Sequence, residues 1–176
     1  MARIEIWNGD ICDLEVDAIV TPANGSLWMS TGVAGAIKRA GGDAIEFAAI
    51  RQAPVEPGGA VVTPAGTLAA RAVIHAVSLD RDRRTTAEIL EAAVRSTMAR
   101  AREIGATSIA FPALGSGVGG FPLEDGARIT VATVRDELPA SPTIAHVVFA
   151  LRGAASYQAF SQALQEATAM SSGANA

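Results

Sequence analysis

The chain has 176 residues, 49% hydrophobic and 18% charged, with a formal net charge of −4, the profile of one compact domain that folds without disulfides or a structural metal. Its single cysteine, Cys12, excludes a disulfide framework and a cysteine-based zinc cluster and fits a reducing compartment, so a cytoplasmic setting is expected. No apolar run reaches membrane-spanning length, no signal peptide is expected at the start, and 14 Lys and Arg against 18 Asp and Glu give no basic footprint for general nucleic-acid binding.

Arg3-Ile4-Glu5-Ile6-Trp7 alternates polar and apolar residues, which predicts a half-buried strand stopped by Asn8-Gly9-Asp10. Residues 16–20, 60–63, 72–77, 108–111 and 144–151 predict further strands. Several are continuous apolar runs, as expected for a sheet covered on both faces. Helices are predicted over 35–40, 43–51, 86–104, 123–138 and 156–169. In the third, Ile89, Leu90, Ala93, Val94, Thr97, Met98 and Ala101 recur at helical spacing, with Arg95, Arg100, Arg102 and Glu103 largely opposite. Gly105 is a natural stop. The alternation predicts an α/β fold, a three-layer α/β/α sandwich on a mixed, mostly parallel sheet. A single domain is expected over residues 1–169 and a mobile tail over 170–176.

Two glycine-containing loops follow predicted strands and precede predicted helices. The first runs through Thr21-Pro22-Ala23-Asn24-Gly25 to Ser30-Thr31-Gly32-Val33, and the second through Ala113-Leu114-Gly115-Ser116-Gly117-Val118-Gly119-Gly120-Phe121-Pro122. Glycine lets a ligand touch the backbone, and free N–H groups at a following helix start favour an anion, so these loops predict phosphate binding at strand carboxyl ends. Neither loop carries the dinucleotide fingerprint or the Walker A lysine. Other residues take plainer readings. His75 reads as a core histidine, His146 has no visible partner, Cys12 is a small buried filler, Trp28 is core, and residues 80–84 form a solvated charged loop. Two histidines and one cysteine give no metal spacing, and neither metal nor cofactor is expected.

Asn8-Gly9-Asp10-Ile11, Val16-Asp17-Ala18-Ile19-Val20, Pro22-Ala23-Asn24, Gly32-Val33-Ala34-Gly35-Ala36-Ile37, Val73-Ile74-His75-Ala76 and Ser108-Ile109-Ala110-Phe111-Pro112-Ala113 with Gly115-Ser116-Gly117-Val118 occur in one order. Together, over roughly residues 4 to 165, they resemble the macrodomain family. The resemblance implies an ADP-ribose pocket. Asp10 would accept from the adenine amino group as the only charge there, with the Ile11 N–H beside it, and Asn24 would hold the distal ribose. Ser30, Thr31, Gly32 and Val33 would flank the pyrophosphate from one side, and Gly115, Ser116, Gly117, Val118 and Gly119 from the other, with Phe121 nearby. Thr31 would cap a helix starting near Val33, and Leu151 or Ala150 stands where an aromatic often covers adenine. Asn24 and Gly32 are the candidate catalytic residues.

The sequence also departs from the family pattern. Ala34 stands where hydrolytic members of one branch carry an acid, Met29-Ser30-Thr31-Gly32 replaces a glycine run, Thr21 replaces an asparagine, and Gly119 replaces a common aromatic. The expected activity is ADP-ribose binding with hydrolysis of ADP-ribosyl esters on modified protein, against a non-catalytic ADP-ribose-binding module or an O-acetyl-ADP-ribose deacetylase. The implied partners are ADP-ribose and mono-ADP-ribosylated macromolecules, with no membrane and no general nucleic acid, and the chain is expected to be a monomer.

Overall fold

A computed structural model describes residues 1–173, with side chains through Met170. Its six strands are β1 (Arg3–Asn8), β2 (Ala18–Ala23), β3 (Ala60–Pro64), β4 (Ala72–Val77), β5 (Ser108–Phe111) and β6 (His146–Leu151). They form one sheet in the order β1-β6-β5-β2-β4-β3. All neighbours pair parallel except β3, which runs antiparallel to β4 at the edge. Helices α1 (Gly32–Gly41) and α2 (Ala44–Ile50) cover one face, and α3 (Ala87–Glu103), α4 (Leu123–Glu137) and α5 (Ala154–Gly173) cover the other. The expected three-layer sandwich on a mixed, mostly parallel sheet forms, and its antiparallel member is β3.

The apolar runs follow from this double cover. Successive strand side chains point to opposite faces. Ala18 and Val20 of β2 join the core under α3–α5, while Ile19 between them joins the core under α1. β6 divides likewise: Val147, Phe149 and Leu151 go one way, Val148 and Ala150 the other. Phe149 sits 5.9 Å from Phe111 and 5.2 Å from Phe160 between ring centroids, locking β5, β6 and α5 together.

Three boundaries differ from expectation by three residues or more. β2 runs on through Pro22 to Ala23, because β5 pairs only with its first half, so the missing proline N–H leaves no gap in a ladder there. α1 begins at Gly32, earlier than the predicted 35. α5 begins at Ala154 and continues to Gly173, so residues 170–173 of the expected tail are helical, while 174–176 lie outside the described residues. Since β1, β6, β5, β2 and β4 are mutually parallel, the segments after all five emerge at one edge of the sheet. Open parallel sheets place ligands there.

Candidate functional site

A cleft with two lobes runs along that edge. The lobes have cavity volumes of about 180 and 370 Å³ and share Gly32, Val33 and Ala113, so they are continuous. The first lobe lies toward Asn24 and the second toward Asp10.

The loop between β2 and α1 is held from below by a buried carboxylate. Glu46 of α2 accepts from the Met29 N–H and the Lys38 ammonium, both at 2.7 Å. Burial alone would raise the Glu46 pKa, but those two donors keep it below the ordinary carboxylate value. Leu27 adopts φ +62 and is buried, which turns Trp28 outward. Trp28 is 58% exposed and lines the first lobe, so the reading of Trp28 as core is corrected. Asn24 faces the same lobe, but its Oδ1 accepts from the Ser26 N–H, the Ser26 hydroxyl and the Leu27 N–H. Its acceptor is thus spent on the turn, and its NH2 is the side that a ligand would use.

Thr31 is the N-cap residue of α1, yet its side chain makes no capping bond. The first intrahelical donor is Gly35, at 3.0 Å from the Thr31 carbonyl, so the N–H groups of Gly32, Val33 and Ala34 donate to nothing among the described residues. Gly32 has φ +60, and a Cβ there would meet open space. Across the cleft, the Gly120 N–H bonds to the Gly117 carbonyl at 3.1 Å and the Phe121 N–H to the Gly115 carbonyl at 3.0 Å. Those two bonds close the loop after β5 and leave the N–H groups of Ser116, Gly117, Val118 and Gly119 without a protein acceptor among the described residues. Two arrays of free backbone donors meeting in one cleft make an anion cradle.

Other residues of the second loop are not turned to the cleft. Phe121 packs against the core and lines neither lobe, and the Ser116 hydroxyl folds back on the Ala113 carbonyl at 3.4 Å. Gly119 does line the first lobe, but a Cβ there would fall 2.1 Å from Thr85 Oγ1, so no aromatic fits in its place.

At the other end, Asp10 is not the lone charge that the sequence suggested. One carboxylate oxygen accepts from the Cys12 N–H at 2.9 Å, and the other pairs with the guanidinium of Arg152, the first residue after β6. The Cys12 N–H first, with the Arg152 guanidinium adding to it, holds the Asp10 carboxyl below its usual value. Arg39 of α1 lines the same lobe. The Ile11 N–H, between these groups, donates to nothing among the described residues. Leu151 lines this lobe too, but its side chain belongs to the core under α3–α5 and lays no cover over the cleft, and Ala150 is a small residue on the α1 side. Burial and the neighbouring Asp10 push the Cys12 thiol up to about 11, which makes it inert.

Two further residues, His146 and Arg83, lie differently from expectation, while His75 is the core histidine that the sequence predicts. His146 has a partner, Glu5, at 3.0 Å. His75 is 1% exposed, bonded to Thr63 Oγ1 at 2.9 Å, with burial pushing it down to about 4. Arg83 belongs to the loop read as merely solvated, yet it lines the first lobe. The lining of that lobe contains no Asp, Glu or His, and Ala34 is part of it. Sequence reasoning missed Arg39, Arg83 and Arg152. A basic residue immediately after a strand at this edge was the available signal for Arg152.

The model of the Macro domain family matches residues 20–130. An uncharacterized protein of Mycobacterium tuberculosis is 44% identical over 165 residues, covering 94% of this chain and 45% of its own length. The chain therefore spans less than half of the curated relatives of this kind. A Salmonella gallinarum protein named O-acetyl-ADP-ribose deacetylase is 44% identical over 141 residues, covering 77% of this chain and 79% of that protein. Among solved structures, the Oceanobacillus iheyensis macrodomain with ADP superposes with a TM-score of 0.85 at 26% identity, covering 95% of this chain and 92% of the other. The Trypanosoma brucei macrodomain in complex with ADP-ribose gives a TM-score of 0.84 at 28% identity, covering 90% and 68%. With a cleft of unclaimed backbone donors at the expected strand edge, and with this match over most of its length, the chain belongs to the Macro domain family.

Proposed function

We propose that this chain binds ADP-ribose along the cleft and hydrolyses carboxyl esters of its distal ribose, on mono-ADP-ribosylated protein. The observation that carries the reading is the meeting of the two unclaimed N–H arrays, from Gly32 to Ala34 and from Ser116 to Gly119, in a cleft that runs from Asp10 to Asn24. A diphosphate takes the middle, adenine takes the Asp10 end with the Ile11 N–H, and the distal ribose takes the Asn24 end. ADP-ribose in the trypanosomal relative and the Salmonella names both support this ligand.

The first lobe has no side-chain carboxylate or imidazole to serve as a base. A water beside the ribose therefore gives its proton to the diphosphate of the ligand itself. The protein contributes by fixing the diphosphate on preorganised donors and orienting the ribose with the Asn24 NH2. The Salmonella names favour a second reading, in which the ester is the O-acetyl form of ADP-ribose and the acyl bond is the one cleaved.

Single-turnover release of ADP-ribose from a protein carrying mono-ADP-ribose on carboxyl side chains, with O-acetyl-ADP-ribose in parallel, tests the proposal. Release from the modified protein above the uncatalysed rate is expected. Release only from the O-acetyl compound selects the second reading. ADP-ribose binding with no release from either removes hydrolysis and leaves a binding module.

A further inference from the structure

Past Asn24 the cleft does not end. An outward groove of about 350 Å³ continues from the first lobe, sharing Asn24, Leu79 and Arg83 with it. Whatever is joined to a ribose seated at Asn24 leaves the cleft between these three residues.

Arg83 is held at that gate by its loop. It adopts φ +61, a conformation that costs an ordinary residue about 1–2 kcal/mol. Asp80 sustains it: its Oδ1 accepts the N–H groups of Asp82 at 2.9 Å and Arg84 at 2.8 Å, while its carbonyl accepts the Arg83 N–H at 3.0 Å. Backbone strain kept in place at a cleft wall is a mark of function. The neighbouring Arg84 pairs with Asp82 at 3.5 Å, but the Arg83 guanidinium makes no hydrogen bond or ion pair with any described residue. It is the only charged side chain lining the first lobe, as that lining is described. Ser78 lines the lobe as well, fully buried, and its hydroxyl has no partner among the described residues. An unpaired planar cation and an unclaimed hydroxyl in the lining of one lobe suit an anion at the far end from adenine, and the diphosphate already has the backbone arrays.

We propose that Arg83 is a substrate-contacting residue that binds the carboxyl group esterified to the distal ribose and holds it as it departs as a carboxylate. The idea rests on the hydrolase reading above and adds the residue that receives the departing carboxylate. In the protein adduct, water oxygen bonds to the anomeric carbon, the carbon–oxygen bond breaks, its electron pair stays on the carboxylate, and the water proton is released. In the O-acetyl compound, water adds to the acyl carbon, the ribose oxygen leaves with one water proton, and the second proton is released as the acid ionises to the carboxylate. Both routes yield ADP-ribose and a carboxylate, the group whose two oxygens match a guanidinium fork. Water labelled with oxygen-18 separates the sources, since the label enters ADP-ribose in the first route and the carboxylate in the second.

Arg83→Asn tests the role cleanly, because asparagine tolerates positive φ and so keeps the loop while removing the cation. Single-turnover release should fall by about 10- to 100-fold, with the ADP-ribose dissociation constant changed by less than about threefold and thermal stability kept. Arg83→Lys should recover part of the rate. Independently of turnover, acetate titrated calorimetrically into ADP-ribose-saturated protein should bind the parent and not Arg83→Asn. Parent-like turnover in Arg83→Asn, or a loss of ADP-ribose affinity that matches the loss of rate, overturns the proposal. Should the parent bind ADP-ribose without turnover, the hydrolase reading alone falls, and the acetate titration decides Arg83: acetate binding that needs the guanidinium supports it, and its absence overturns it.

Discussion

Three glycines in the two loops should fail in three different ways. At Gly32 the backbone is left-handed, and a Cβ would point into open space. Gly32→Ala therefore costs mainly conformational strain, about 1–2 kcal/mol, or about 2–8 °C in thermal midpoint for a chain of this size. Gly32→Glu adds a carboxylate beside the diphosphate. At about 4 Å and an effective dielectric of about 20, each pair of like charges repels by about 4 kcal/mol, so affinity should drop by about a thousandfold. Gly117 has ordinary φ and open space, and Gly117→Val should lower affinity without lowering stability. Gly119 is the inverse case: its Cβ would sit 2.1 Å from Thr85 Oγ1 and 2.9 Å from the Gly115 carbonyl, so Gly119→Ala should cost about 1–3 kcal/mol of folding stability. Calorimetric titration with ADP-ribose and thermal unfolding of each variant separate the outcomes. A folded Gly32→Glu protein that binds like the parent would refute the placement of the diphosphate on this loop.

The remaining predictions concern the adenine end and the core. Asp10→Ala should weaken ADP-ribose binding by about 1.5–3 kcal/mol, or about 10- to 150-fold, the loss of a charge-assisted hydrogen bond, and an unchanged calorimetric Kd would take Asp10 out of the pocket. His75 is buried neutral, with its imidazole pushed down to about 4 from 6.5, so below pH 6.5 the unfolded chain binds a proton that the folded one refuses. Stability should fall by about 3 kcal/mol as pH drops from 6.5 to 4 on this account, and denaturant unfolding of His75→Gln should show a shallower decline; equal slopes would sink the assignment.

The strands and helices were legible because both faces of the sheet are covered, so that strands such as β4 and β6 are written as apolar runs with no polar alternation. The errors fall where the backbone departs from ordinary geometry. Pro22 looked like the end of a strand, since nothing in a sequence tells that β5 stops short of it. Trp28 looked like core because a leucine at φ +62 is invisible beforehand, and it is Leu27, turned inward, that takes the buried place. Arg83 was passed over for the same reason, one positive φ inside a charged stretch. The glycine loops were readable as donors of free N–H groups because that property belongs to the backbone and needs no particular side chain.

On the proposed hydrolase reading, the poles of the cleft decide which end of a ligand reacts. Although the chain carries a net charge of −4, the charged residues lining the two lobes are Asp10, Arg39, Arg83 and Arg152. Backbone amides in the middle attract a diphosphate equally well in either direction, so they fix its position and not its orientation. Orientation has to come from the ends. The Asp10 end offers an acceptor already committed to the ionised form by the Cys12 N–H and Arg152, which suits an exocyclic amine. The Arg83 end offers a cation with no protein partner among the described residues, an unpaired buried hydroxyl and a way out to solvent. On the proposed reading, a ribose bearing a carboxyl ester meets both a donor and an exit at that end. On the proposed reading, the Asp10 acceptor at one end and the Arg83 guanidinium with its outward groove at the other turn a symmetric cradle into a directional one, with the bond to be cut on the Arg83 side.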